Sequence, residues 1–215
     1  MSNSLFDILK PTEPHDSGRY YGVVVGIVTN NQDPDGMSRV KVKFPWLSND
    51  DESWWARIAT VMAGSSRGSY FLPEVDDEVM IAFEHGDVRF PYVLGALWNG
   101  KDSPPTTNSD GQNNIRMIKS RSGHIVRLDD TNGDEKVEVI DKTGNNSITI
   151  KSSDNSMTIT ANGTVKIQGQ SIQITSQTDI TVQAGTSISV NANTTMDLDA
   201  SAELNIQGAM VNINS

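Results

Sequence analysis

The chain has 215 residues, no cysteine and a formal net charge of −10. That length allows one to two domains, the missing cysteines exclude a disulfide framework or a thiolate site, and the acidic balance opposes binding to a phosphate backbone. No apolar run reaches the roughly eighteen residues of a membrane span, and "MSNSLFDILK" lacks the basic start and apolar stretch of a signal peptide. The sequence therefore predicts a protein made in the cytoplasm without a signal peptide.

Residues 1–19 form a short N-terminal arm, and residues 20–100 hold most of the aromatic side chains. Five strands are predicted there. The first runs from Tyr21 to Thr29 and ends in "NNQDPDG", a dense turn signal. The second, "MSRVKVKF", alternates Val40, Val42 and Phe44 with Arg39, Lys41 and Lys43, so one face is core and the other wet. A third spans about Trp54 to Val61. A Gly- and Ser-rich loop then leads to Val75 through Phe83, the turn "EHGD", and Phe90 through Trp98. Five short strands with no helical period suit a small OB-type barrel.

Residues 101–144 read as a linker and neck, and a different composition follows. From residue 145 to the end there is no aromatic and no proline, and about half the residues are Ser, Thr, Asn or Gln. Disorder would suit such a tract, but it does not keep a register, and this tract does. Apolar pairs recur at Ile148/Ile150, Met157/Ile159, Val165/Ile167, Ile172/Ile174, Ile180/Val182, Ile188/Val190, Met196/Leu198, Leu204/Ile206 and Val211/Ile213. Most steps are eight residues; the steps from 165 to 172 and from 204 to 211 are seven. Two residues after each pair stands a small one: Ser152, Ala161, Gly169, Ser176, Ala184, Ala192, Ala200, Gly208 and Ser215.

Helices and coiled coils repeat at 3.6 and 3.5 residues, so a spacing of two followed by six means strands with corners between them. A five-residue strand spans only about 17 Å, so three must combine to enclose a core. The three come either from one chain, as a solenoid coil of about 24 residues, or from three chains wound together. One chain would give only about three coils, which is near the minimum for a repeat array. The reading favoured is all-β, an N-terminal OB-fold barrel followed by a C-terminal triple-stranded β-helix, intertwined and homotrimeric, over residues 145–215. The alternative is a single-chain β-solenoid that binds polysaccharide or acts like an adhesin.

The runs "GIVTNNQDPDGMSRVKVKFPWLSND" and "SWWARIATVMAGSSRGSYFLPEVDDEVMIAFEHGDVRFPYVLGALWNG" resemble the OB domain of bacteriophage baseplate spikes and of VgrG spikes of type VI secretion. The later "IKSRSGHIVRLDDTNGDEKVEV" is similar to the neck of that family. The resemblance implies a homotrimeric, cell-puncturing spike of a contractile injection system, with no enzymatic activity and no cofactor. Larger members carry a hub domain before the barrel, and here about nineteen residues precede it, so a separate trimeric hub protein is expected at the barrel end. Some phage members insert a lysozyme domain where this chain has only "KDSPPTTNSDGQNN". Certain spikes end in a His-x-His iron tip, whereas no histidine follows His124 here. The resemblance therefore implies a PAAR-repeat tip protein at the C-terminal end, with Met210, Val211 and Ile213 in its docking platform.

Three other groupings have plainer explanations. The carboxylates Asp50, Asp51 and Glu52, and Glu74, Asp76, Asp77 and Glu78, lack a partner histidine or a cation-loop spacing and read as wet surface. His15, His85 and His124 are scattered; a trimer axis could gather three copies of His124 around a metal, but a turn histidine is the simpler reading. Trp46, Trp54 and Trp55 beside Arg39, Lys41 and Lys43 could stack single strands, but core and interface account for the same aromatics and nucleic acid is not an expected partner.

Overall fold

The computed structural model describes residues 18–47 and 51–213. Most of the N-terminal arm, with His15, lies outside the described residues, as do Asp50 and Ser215. The chain divides into two compact units, Met1–Asn162 and Gly163–Ser215.

The first unit begins with strands β1 (Val23–Asn30), β2 (Lys41–Lys43), β3 (Arg57–Ile58), β4 (Ala63–Gly64), β5 (Arg67–Gly68), β6 (Glu78–Phe83) and β7 (Pro91–Ala96). Five of these form a sheet in the order β2-β1-β6-β7-β3, with β3 parallel to β7 and the other pairs antiparallel. The sheet closes on itself. Val40, just before β2, bridges antiparallel to Ala56, just before β3, and the two exchange N–H···O bonds of 3.1 and 2.7 Å. The circuit β1-β2-β3-β7-β6-β1 is the strand connection of an OB barrel, and closure removes the open edges that would invite foreign pairing.

Strict alternation fills the barrel. Val40, Val42 and Phe44 point inward with Val28, Ala56, Val79, Ile81, Phe83 and Val93, all buried. Mid-strand Gly26 is required by this closeness: a Cβ there would stand 3.3 Å from both Ile81 Cγ1 and Val42 Cβ. Phe44 and Phe83 meet edge-on at 5.5 Å, and Tyr20 covers them together with Trp46 at 5.0 Å. The predicted turn after β1 is held by Asp33, whose carboxylate accepts the N–H groups of Asp35, Met37 and Arg39 and the Arg39 Nε at 2.8 Å. That Arg39 contact holds the Asp33 carboxyl below the usual carboxylate range.

The predicted third strand shrinks to two residues plus its bridge at Ala56. The Gly- and Ser-rich loop beyond it contains its own hairpin, β4 with β5, which the sequence did not signal. The second sheet is an antiparallel meander of β8 (Ile115–Lys119), β9 (Ile125–Asp129), β10 (Lys136–Ile140), β11 (Ser147–Lys151) and β12 (Ser156–Thr160), each strand paired with the next. The first two predicted octads are thus strands of this meander, continuous with the three strands of the neck, and the compact unit runs past the expected boundary at 144 to Asn162. Arg121 ties the sheet to the barrel through Glu74 at 2.6 Å.

In the second unit, residues 163–213 make no strand pairing within the chain, and every residue there is exposed. Bends stand at 162–163, 170, 177–178, 185–186, 193–194, 201–202 and 209. Each bend directly follows a small residue of the repeat, as the sequence predicts for a corner.

Candidate assembly surfaces

The two faces of the β8–β12 sheet differ in chemistry. Side chains alternate along each strand and register aligns them across strands, so one face collects Ile118, Val126, Leu128, Val137, Val139, Ile148, Ile150, Met157 and Ile159. Val126 stands opposite Val139, Val139 opposite Ile148, and Ile148 opposite Ile159. All nine are between 42% and 67% exposed. A contiguous apolar face of more than a few hundred Å² on a soluble chain marks an interaction surface.

The opposite face carries ion pairs made within the chain, alongside Ile115, Met117, Ile125 and Ile140. Arg127 Nε donates to Glu138 at 2.8 Å, and the Lys136 and Lys151 ammonium groups both reach Asp134, at 2.7 and 2.8 Å. Lys136, then Lys151, hold the Asp134 carboxyl down at about 2. Asp129, which is buried, accepts the Thr131 hydroxyl at 2.6 Å and backbone N–H at 3.1 Å, and the hydroxyl contact lowers its pKa.

The octad pairs after Asn162 show the same asymmetry in an extreme form. Val165, Ile167, Ile172, Ile174, Ile180, Val182, Ile188, Val190, Met196, Leu198, Leu204 and Ile206 are all exposed, from 47% at Met196 to 73% at Ile174. Met210, Val211 and Ile213 are exposed as well, Ile213 at 84%. Of the predicted core residues, the structure brings together Ile148, Ile150, Met157 and Ile159, and leaves the rest along an unpaired chain.

The corners come in two kinds. Where the repeat step is eight residues, the small residue is Ser or Ala and the bend takes two residues. At the two seven-residue steps the small residue is glycine, Gly169 or Gly208, and the bend takes one. A Cβ on Gly169 would lie 3.3 Å from the Ser171 carbonyl oxygen, and one on Gly208 3.2 Å from that of Met210. Glycine therefore stands where the corner is a residue short.

The remaining predicted groups are engaged locally. Glu52 receives Lys41 at 3.1 Å, Asp77 accepts the Glu74 N–H at 2.8 Å, and Glu78 accepts Asn99 Nδ2 at 3.1 Å. His85 sits in a left-handed turn, and His124 Nδ1 accepts the Lys142 N–H at 3.2 Å. Trp55 lies beneath Arg39 and Lys41, with ring distances of 5.8 and 5.6 Å, and Arg39 is in turn bound by Asp33 and Asp35. Among the described residues no three His, Asp or Glu side chains gather as a metal-ligand set, and no helix is long and apolar enough to cross a membrane.

Residues 24–98, which are the closed barrel, match the type VI secretion system/phage-baseplate injector OB domain. The chain is also similar to the type VI secretion system spike protein VgrG3 of Vibrio cholerae, at 35% identity over 43% of this chain and 10% of that protein. The chain is related to the VgrG and phage-baseplate spikes. Similarity to spike protein VgrG1a of Pseudomonas aeruginosa, 29% identity over 133 residues, covers 57% of this chain and 21% of that one, and so reaches beyond the barrel. The actin cross-linking toxin VgrG1 of Vibrio cholerae matches at 31% identity over 44% of this chain. The chain spans about a fifth or less of the length of these spike relatives.

The sequence reading missed half of the apolar face. Val126/Leu128 and Val137/Val139 are pairs of the same kind, and their spacing of eleven residues, from 126 to 137 and from 137 to 148, was the available signal.

Proposed function

We propose that this chain is the central spike of a contractile injection machine, acting mechanically as a rigid homotrimeric rod. The observation that carries the reading is the apolar pair, repeated from Val126/Leu128 to Val211/Ile213 and unpartnered within one chain, in a protein whose barrel matches an injector OB domain. Three copies turn these pairs toward a common axis. The other sheet face, with its Arg127–Glu138 and Lys–Asp134 pairs, then faces water.

Past Asn162 the three chains wind into a triple-stranded β-helix, each strand pairing above and below with another subunit. Each octad advances its chain by one strand spacing, so the seven octads after Asn162 give a rod of roughly 34 Å. Main-chain hydrogen bonds run along the rod and β-branched side chains fill its axis, which makes it stiff under axial load. Sheath contraction drives the rod through the target envelope, so no chemistry is asked of it and it is not an enzyme. The barrel end docks on a separate trimeric hub, and Met210, Val211 and Ile213 receive a PAAR-repeat tip protein. The spike works as a component of an assembled particle.

Light scattering of the purified chain is expected to give three chain masses, persisting on dilution. A folded particle of one chain mass would favour the single-chain solenoid and end this reading.

A further inference from the structure

The sheet and the octads solve their backbone hydrogen bonding differently. All five strands of the sheet pair within one chain, between neighbours in sequence, while residues 163–213 pair with nothing in their own chain. The sheet is therefore a structure one chain completes alone, built from local hairpins that form fast. The octads are not: short extended segments with unpaired N–H and C=O groups and exposed isoleucines gain nothing by ordering singly, since each ordered residue costs about 1–2 kcal/mol of backbone entropy.

We propose that the apolar face of β8–β12 is the surface on which three copies first meet, and that the octads then wind one way from Gly163 toward Ile213. The inference rests on the homotrimeric spike reading and adds where assembly starts and in which direction it runs. The occupant of the face is a second copy of the same chain, for two reasons. The face is built from the same i, i+2 apolar pairs that continue, at shortened spacing, through the tract that follows. Four of its five strands, β9 to β12, contribute only apolar side chains to it, and Arg116 at the edge strand β8 is engaged by Asp130, so its centre is complementary to itself.

Meeting at the sheet also removes an ambiguity. Eight-residue repeats differ little from one another, so three octad tracts meeting at random could pair one unit out of step. Weakly specified strands slip in this way. The sheet carries no such repeat: its connections, 120–124, 130–135, 141–146 and 152–155, are five, six, six and four residues long and all differ in sequence, so its faces dock in one alignment and hand that alignment to Gly163.

The test uses the full chain, unfolded in guanidinium and refolded by dilution, with pulsed hydrogen exchange read by mass spectrometry. Peptides from 115–160 are expected to gain protection first, at a rate independent of protein concentration. Peptides from 171–213 should follow at a rate that rises with concentration. Two single substitutions separate the steps. Val139→Asp, on the sheet face, is expected to leave 115–160 protected and 171–213 unprotected, with the chain monomeric. Val190→Asp is expected to leave a trimer protected from 115 to about 182 and open beyond it. Octads protected before the sheet, or in the Val139→Asp chain, would overturn the sheet as the starting surface. A Val190→Asp chain protected on its C-terminal side only would reverse the direction. If the unsubstituted chain stays monomeric with open octads at every concentration, it is the spike reading that fails.

Discussion

The sheet from Ile115 to Thr160 and the tract from Gly163 to Ile213 use one apolar motif and reach opposite states within a single chain. In both, two large apolar residues are separated by one position. In the sheet the pairs are eleven or nine residues apart, the connections are long enough to reverse direction, and each strand finds its neighbour at home. In the tract they are seven or eight apart, and the chain bends where it would otherwise reverse. One to four residues of spacing thus separate segments that pair within the chain from segments that do not, and the apolar content barely changes.

The largest expected break of this contrast is at the axis of the tract. Ile180→Asp would place three carboxylates around one layer of an assembled rod, and an unpaired buried charge costs roughly 3–5 kcal/mol. Assembly of the octads is expected to be lost, while the barrel and sheet keep their fold because residue 180 belongs to neither. Size-exclusion with tryptophan fluorescence reads both, since all four tryptophans lie in the first unit. A variant that assembles with unchanged melting would show that the pairs do not face inward.

A smaller effect separates the regions by acid. The ion pairs described above lie in the barrel and the sheet, and Asp134 is the most accessible test. Its pKa is lowered to about 2 by Lys136 and Lys151, against about 3.9 in an unfolded chain. A depressed carboxylate contributes stability that is complete above the unfolded value and disappears as pH falls through the folded one. The melting midpoint of the first unit is therefore expected to be flat from pH 8 to 5 and to fall below about pH 4. Asp134→Asn, which leaves the two lysines without a counter-charge, should melt lower at pH 7 and converge with the unsubstituted chain near pH 2. A difference that stayed constant with pH would remove the ion pairs as its cause.

Much of this was legible in the sequence because alternation and turn chemistry act locally. The barrel strands around Val40, Val42 and Phe44, and Asp33 in its turn, follow from side-chain period and from what an aspartate can accept. The corners were legible from the small residues alone. The extent of the third barrel strand was not, because Arg57–Ile58 is held by its neighbours on both sides rather than by propensity, and the same short segment read alone has no reason to stop. The split of the octads was missed for a related reason. A period of eight at Ile172 through Val190 drew Ile148 and Met157 into one series, although their steps of nine and eight residues lead back through the sheet to steps of eleven. Closure of a hairpin depends on the connection between pairs, such as 152–155, and a pattern defined on the pairs does not see it.

The smallest expected effect tests whether corner length matters as much as strand spacing. Gly169 and Gly185 both stand near corners, but only Gly169 belongs to a seven-residue step. A methyl on Gly169 would meet the Ser171 carbonyl at 3.3 Å, whereas nothing lies within 4 Å of the same position on Gly185. Gly169→Ala should therefore strain a backbone that has no slack residue to absorb it, lowering stability by about 1 kcal/mol per chain, the ordinary scale of a point substitution. Gly185→Ala should do the reverse. Its backbone lies outside the left-handed range, and replacing glycine at a compatible site raises stability by about 0.4–1 kcal/mol by restricting the unfolded chain. Melting of the assembled protein compares the two directly, and the shifts are expected to have opposite signs. Equal shifts would mean that the seven-residue corners are no tighter than the others, and that glycine stands at 169 and 208 for a reason other than space.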